Sequence, residues 1–149
     1  HVPFIANGKQ CACGSTGCFE AYASTSALIN RFMEQTTDTD KKLSREEING
    51  ELIVHLYKEG DIIAKKCIEE HCDFVGHGIA GFINIFSPEL VIVGGGISES
   101  GEFYIEKIRK NAFRYAMADC AINTKIVAAK LGNKAGYIGA AGLFFKGNF

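Results

Sequence analysis

Between residues 61 and 87 apolar side chains recur at helical spacing, at Ile63, Cys67, Phe74, Gly78, Phe82 and Ile85, and in the second half they lie on all sides. A helix that is apolar all round is one its neighbours bury, so this stretch is predicted as the central helix, capped by Asp61 and stopped at Pro88. Its most apolar part, residues 74–86, is interrupted by His77 and Asn84 and falls short of the ~20 residues a membrane-spanning helix needs. Before it, Asn49 is the expected cap of a short helix carrying Leu52, Ile53, Leu56 and Tyr57, with Gly60 just past its end. Ala27, Leu28, Phe32 and Met33 form the stripe of an earlier helix; the chain turns helical from Ala21 onward, with Ser24, Thr25 or Ser26 as cap. Residues 34–45 are polar apart from Leu43 and are predicted as an exposed loop.

The strand signals lie on either side of these helices. Residues 2–5 are short and apolar and lead into the turn pair Asn7-Gly8, which predicts a strand end and a turn. Residues 89–93 read as a continuous apolar strand running into Gly94, Gly95 and Gly96, followed by a helix over 103–117. Residues 126–131 predict a second strand, Gly132-Asn133 a turn, and residues 135–145 a last helix containing Gly136, Gly139 and Gly142. Strands alternating with helices make the fold class α/β. A strand, a glycine turn and a helix let the backbone approach a ligand and offer N–H groups to an anion, although triple glycine also serves plain tight turns. Glycines three apart on the last helix fit close helix packing as well as contact with a flat ring.

The chain of 149 residues is long enough for one domain with a real core, and its 47% hydrophobic content points to a globular protein. A formal charge of −1, from 16 basic and 17 acidic side chains, gives no field to gather nucleic acid or an anionic membrane, so neither is expected as a partner. A small neutral ligand fits better. No basic start followed by an apolar run is visible, and a reducing, cytoplasmic setting is expected.

That setting turns attention to what the cysteines do. His1, Cys11, Cys13 and Cys18 supply three thiolates and one imidazole within 18 residues, and Gly14 lets the backbone fold back so that both sulfurs of Cys11 and Cys13 aim at one centre. For a tetrahedral Cys₃His set the expected ion is zinc, and with four protein ligands it is structural, with no open position to activate a water. Chance cysteines in a glycine-rich turn, or a disulfide, are the alternative, and Cys11 and Cys13 are poorly placed to bridge each other. His71, Cys72 and His77 are candidate ligands of a second site, but on a mostly apolar helix they are expected to be core or boundary residues. Glu20, two positions after Cys18, is either a bidentate acceptor for hydroxyls or simply a surface or helix-start acid.

The segment GKQCACGSTGCFEAYAST, with a histidine ten positions before its first cysteine, resembles the zinc loop of the ROK family. That family comprises bacterial-type sugar kinases and sugar-responsive repressors on the actin-like ATPase, ribonuclease H-like fold. The resemblance implies that His1, Cys11, Cys13 and Cys18 bind zinc and that His1 and Glu20 face a sugar. VIVGGGIS is similar to the family's adenosine-side motif and LGNKAGYIGAAGLF to its C-terminal helix, so Gly94, Gly95, Gly96 and Gly132 are the implied nucleotide contacts, with ATP and Mg²⁺ as cofactors of the complete protein. Together the three segments span residues 1–144.

The family's Asp-x-Gly-x-Thr phosphate loop, the aspartate that takes the sugar's proton, and the glutamate of its Glu-x-Gly-His motif would all precede His1. Residues 1–149 are therefore expected to form the C-terminal sugar- and nucleotide-binding part, with residues 1–20 as the zinc loop, no catalytic base, and the N-terminal part absent. Only the C-terminal lobe of the fold is then expected, with packed helices, an exposed sheet edge and a homodimer or another chain to cover it. The activity implied is that of a glucokinase-like hexose kinase, with the sugar-sensing half of a ROK-type repressor as the alternative. The intact triple glycine and the glycine-studded last helix favour the kinase. A zinc-stabilised interaction module without a ligand is the third reading.

Overall fold

The computed structural model of the chain describes residues 1–37 and 44–146. The N-terminal stretch does not form the strand expected at residues 2–5; only single antiparallel bridges join Pro3 to Cys18 and Gln10 to Thr16. A helical turn, α1 (Glu20–Ala23), leads into α2 (Thr25–Thr36), which starts where Ser24 accepts a bond from the Ala27 N–H. Helix α2 also takes in residues 34–36 of the predicted loop, where Thr36 is buried and satisfies its hydroxyl on the Phe32 carbonyl. Residues 38–43 of that predicted loop lie outside the described residues.

Asn49 caps α3 (Gly50–Lys58), and Asp61 caps α4 (Ile62–Phe86), as the sequence predicts. Helix α4 ends in Ser87 at φ +44°, ahead of Pro88. It is the spine: α2 and α3 pack on it, and α5 (Glu102–Tyr115) most extensively of all. The approach to α5 needs a glycine, since a Cβ on Gly76 would stand 2.6 Å from Asn111 Cβ and 2.9 Å from the Ala112 nitrogen.

Two short strands, β1 (Leu90–Val93) and β2 (Lys125–Ala128), pair in parallel, Leu90 opposite Lys125 and Val93 opposite Ala128. Helix α5 and the turn α6 (Ala118–Ala121) connect them. Val91, Val93 and Ile126 face the core, while Leu90 and Ile92, 51% and 61% exposed, stand on a face that no described element covers. Among the described residues each strand has one unpaired side. Strand β2 is shorter than the predicted 126–131 because Ala129 is the last residue to bond to β1, through Val93, and the chain then turns into a 3₁₀ segment, Gly132–Lys134, and α7 (Ala135–Lys146). Helix α5 likewise ends at Tyr115, short of the predicted 117, because the Met117 N–H leaves the helix to bond Asn84 Oδ1. No helix of the described residues is long and apolar enough to cross a membrane.

His71 and Cys72 are core residues of α4. The His71 Nε2 lies 2.9 Å from Tyr104 Oη, and burial, with Arg31 nearby, lowers its pKa from 6.5 to about 4. Burial pushes the Cys67 and Cys72 thiols up to about 11 and about 12, so both are protonated near neutrality. The His71 shift carries a stability consequence. Below pH 6.5 the unfolded chain takes a proton that the folded chain refuses until about pH 4, so stability is full above 6.5 and falls as pH drops through that window, by roughly 3 kcal/mol in all. In His71→Gln this slope disappears: the wild-type advantage in urea unfolding is expected to shrink steadily from pH 7 to pH 4.5, and an advantage constant across that range would refute the assignment.

Candidate metal centre and glycine cleft

The segment between His1 and Cys18 folds back on itself through backbone bonds, several of them centred on Gly17. The Phe4 and Ile5 N–H groups both donate to the Gly17 carbonyl, at 2.8 and 3.0 Å, while the Gly17 N–H donates to Lys9. Gly17 adopts φ +71°, and a Cβ there would come 1.8 Å from the Ile5 carbonyl oxygen, so no other residue fits the crossing. At the loop's far tip Gly14, at φ +89°, reverses the chain between Cys13 and Ser15.

These turns converge the four predicted ligands. One ligand atom from each of His1, Cys11, Cys13 and Cys18 lies within 4.8 Å of the others, the one such cluster of three or more among the described residues. Cys11 Sγ is 3.5 Å from His1 Nδ1, and Cys13 Sγ is 3.6 Å from Cys18 Sγ. A tetrahedron with zinc bond lengths of about 2.3 Å to sulfur and 2.0 Å to nitrogen has edges of about 3.5 Å for S···N and 3.8 Å for S···S, so both separations fit one ion. None of the six cysteines is in a disulfide. Burial pushes the Cys18 thiol up to about 11, whereas the Ser15 backbone N–H, followed by the neighbouring cysteines, draws Cys13 down. Cys11 and Cys18 are buried and Cys13 and His1 exposed, so the cluster opens to one side.

Glu20 lies on that open side. As the first residue of α1 it sets its Oε2 2.9 Å from His1 Nδ1, with both side chains about half exposed. Between the ligand Cys18 and this acid, Phe19 turns inward. Its ring meets Phe4 edge-on at 5.4 Å and Phe82 at 6.2 Å, and its N–H donates to the Val2 carbonyl, next to His1. Tyr22 accepts a 2.6 Å bond from the Lys9 N–H and packs on Phe74. An aromatic bed of Phe4, Phe19, Tyr22, Phe74 and Phe82 thus seats the loop on α4. Sequence reasoning missed this bed, although a phenylalanine between a metal ligand and a helix start was a visible signal. His77, exposed on α4, contributes no ligand and stacks on Tyr115 at 4.4 Å.

Elsewhere, Gly94 and Gly132 of the glycine candidates lie at the carboxyl ends of β1 and β2, where open α/β sheets bind ligands, while Gly96 lines a separate hollow with Thr25, Asn49 and Gly50. A Cβ on Gly94 would lie 3.6 Å from Ala129 Cβ, and one on Gly132 would lie 1.8 Å from Glu99 Oε1. The two turns therefore touch, and between them a cavity of about 490 Å³ is lined by Glu99, Ala129, Lys130, Leu131, Gly132 and Lys134. A 3₁₀ turn, Gly96–Ser100, fills the stretch between the glycines and α5, which opens at Glu102, one residue before the predicted 103. Glu99 and Glu102 place carboxylates where an anion had been expected. Glu99 escaped the sequence reading because only the fold brings it to Gly132.

A model of the ROK family matches residues 1–146. The glucokinase of Thermotoga maritima is 35% identical over 150 residues, covering 96% of this chain and 47% of that protein. The xylose repressor of Caldicellulosiruptor bescii is 34% identical, covering 93% of this chain and 36% of the repressor. A crystal structure of a ROK family glucokinase from Streptomyces griseus, in complex with glucose and AMPPNP, superposes with a TM-score of 0.87 at 33% identity, over 96% of this chain and 49% of that one. The chain spans about half the length of the curated glucokinases it matches.

Proposed function

The chain belongs to the ROK family, and from that membership we propose that it is the C-terminal sugar- and nucleotide-binding part of an ATP-dependent, glucokinase-like hexose kinase. In this reading residues 1–149 are the C-terminal lobe of an actin-like ATPase fold acting in the cytoplasm, and residues 1–20 are its zinc loop. The observation that carries it is the junction of the Cys₃His cluster with Glu20, in a chain whose fold follows a glucokinase along 96% of its length.

The chemistry of each residue supports a role. His1, Cys11, Cys13 and Cys18 would hold zinc, which, when bound, supplies a rigid anchor for the loop. The imidazole of His1 has two nitrogens, and whichever one is not engaged by the metal can donate to a sugar hydroxyl. Glu20, ionised, accepts hydroxyl protons from the same sugar. Gly94, Gly95, Gly96 and Gly132 would take the adenosine side of ATP, where the Glu99 carboxylate suits hydroxyl and amino donors better than phosphate. Phosphoryl transfer also requires a base for the acceptor hydroxyl and groups to hold Mg²⁺ and the phosphates in line. Those are assigned to sequence upstream of His1.

The deciding experiment measures ADP release from ATP and Mg²⁺ by the chain extended with its upstream coding sequence, against a panel of hexoses and N-acetylhexosamines. Turnover with a sugar is expected from the extended protein, and none from residues 1–149 alone. The likeness to the xylose repressor favours a second reading, a sugar-sensing half in which binding shifts a conformational equilibrium and no phosphate moves. Sugar binding by calorimetry without turnover would select that reading, and turnover by residues 1–149 alone would overturn the division of labour.

A further inference from the structure

Phe19 is the one residue between a metal ligand and the acid assigned to the sugar. Its backbone N–H holds the Val2 carbonyl at 2.9 Å, next to His1, and its carbonyl accepts from Tyr22 and Ala23 within α1, which Glu20 begins. Both groups assigned to the sugar, His1 and Glu20, are therefore one residue away from a peptide unit that Phe19 fixes. What fixes Phe19 is its ring, and the ring lies over Gly78 of α4. A Cβ on Gly78 would meet Phe19 Cε2 at 2.2 Å, Cζ at 2.5 Å and Cδ2 at 2.7 Å. Gly78 sits mid-helix with no backbone need for glycine, since its φ is not among the positive ones. Glycine inside a helix costs about 1 kcal/mol relative to alanine, so the position is a local sacrifice of helix stability that the ring's approach explains.

We propose that Gly78 is a positioning residue for the sugar site, acting through the Phe19 ring to set His1 and Glu20. The inference rests on the reading of His1 and Glu20 as sugar-binding groups. An added methyl must push the ring by more than 1 Å to restore an ordinary contact of about 3.5 Å. The ring is hemmed by Phe4 and Phe82, so the shift passes to the backbone at Cys18 to Glu20. A displacement of that size at a group that orients a reactant costs on the order of 10²-fold.

The test uses the extended protein and reads zinc content, calorimetric sugar affinity, and KM and kcat separately. Gly78→Ala is expected to keep about one zinc per chain and to weaken sugar binding roughly 10- to 100-fold, with KM for sugar rising and KM for ATP unchanged. Phe19→Leu removes the ring atoms that the methyl would strike, so Gly78→Ala combined with Phe19→Leu is expected to bind sugar more tightly than Gly78→Ala alone. Sugar affinity of Gly78→Ala within twofold of wild type would overturn the proposal, as would a double variant no better than the single one. Should Gly78→Ala not fold, Phe19→Leu alone decides: loss of sugar affinity with zinc retained supports the positioning role, and unchanged affinity refutes it. Absence of sugar binding by the wild-type protein would instead overturn the functional reading on which the inference stands.

Discussion

Cys13→Ser is expected to take the zinc content from about one ion per chain to about zero, because a four-ligand structural site with one ligand replaced by a neutral hydroxyl loses both a charge and a bond. Cys13 is the exposed cysteine of the cluster, 3.6 Å from Cys18 Sγ, so its loss removes a ligand without opening a cavity in the core. The effect is then chemical and not one of packing. Cys120→Ser is the control: that thiol, 3.8 Å from the Asn84 carbonyl, lies outside the cluster and its replacement should leave zinc untouched. Metal analysis after gel filtration reads both. One zinc retained per Cys13→Ser chain would sink the ligand set. Chelation of the wild-type protein should reproduce the stability loss of Cys13→Ser and add nothing to that variant.

Gly17→Ala is expected to destabilise the chain by roughly 3 kcal/mol or more, the largest loss of any single methyl in the loop. The left-handed backbone costs an alanine about 1–2 kcal/mol, and overpacking against rigid atoms adds a further 1–3 kcal/mol. Here the struck atom is the Ile5 carbonyl oxygen, at 1.8 Å from the added carbon, and backbone cannot rotate aside. The same substitution at Gly14 isolates the first term, because Gly14 shares the left-handed conformation at φ +89° but would meet nothing within 4 Å. Urea midpoints should therefore order as wild type, Gly14→Ala, Gly17→Ala, with the second step at least as large as the first. Equal midpoints for the two variants would mean that the loop crossing at Gly17 is not as close as described.

How far the sequence foretold these structures varies with the kind of interaction. The capped helices were legible because capping is local: Asn49 and Asp61 announce α3 and α4 within three residues of their own backbone partners. The cluster of His1, Cys11, Cys13 and Cys18 was legible because metal ligands are few in kind and crowded in sequence. The end of α2 was not, since Thr36 looks polar in the sequence yet is buried in the fold, with its hydroxyl satisfied by the Phe32 carbonyl. Strand β2 ran shorter than its apolar pattern because its hydrogen bonds stop with those of β1, a fact about its partner. Glu99 beside Gly132, and Phe19 over Gly78, join residues 33 and 59 positions apart, and no local pattern carries such a pairing.

Gly76 and Gly78 are two residues apart on α4, hence about 200° apart around its axis. One admits the backbone of α5 and the other the ring of Phe19, on nearly opposite sides of the same helix. A cylinder notched on both flanks is keyed against rotation: turning it either way would drive a neighbouring side chain of α4 into an occupied groove. Any torque delivered by α5, whose near end adjoins the glycine cleft, must then carry α4 and the zinc loop with it as one piece.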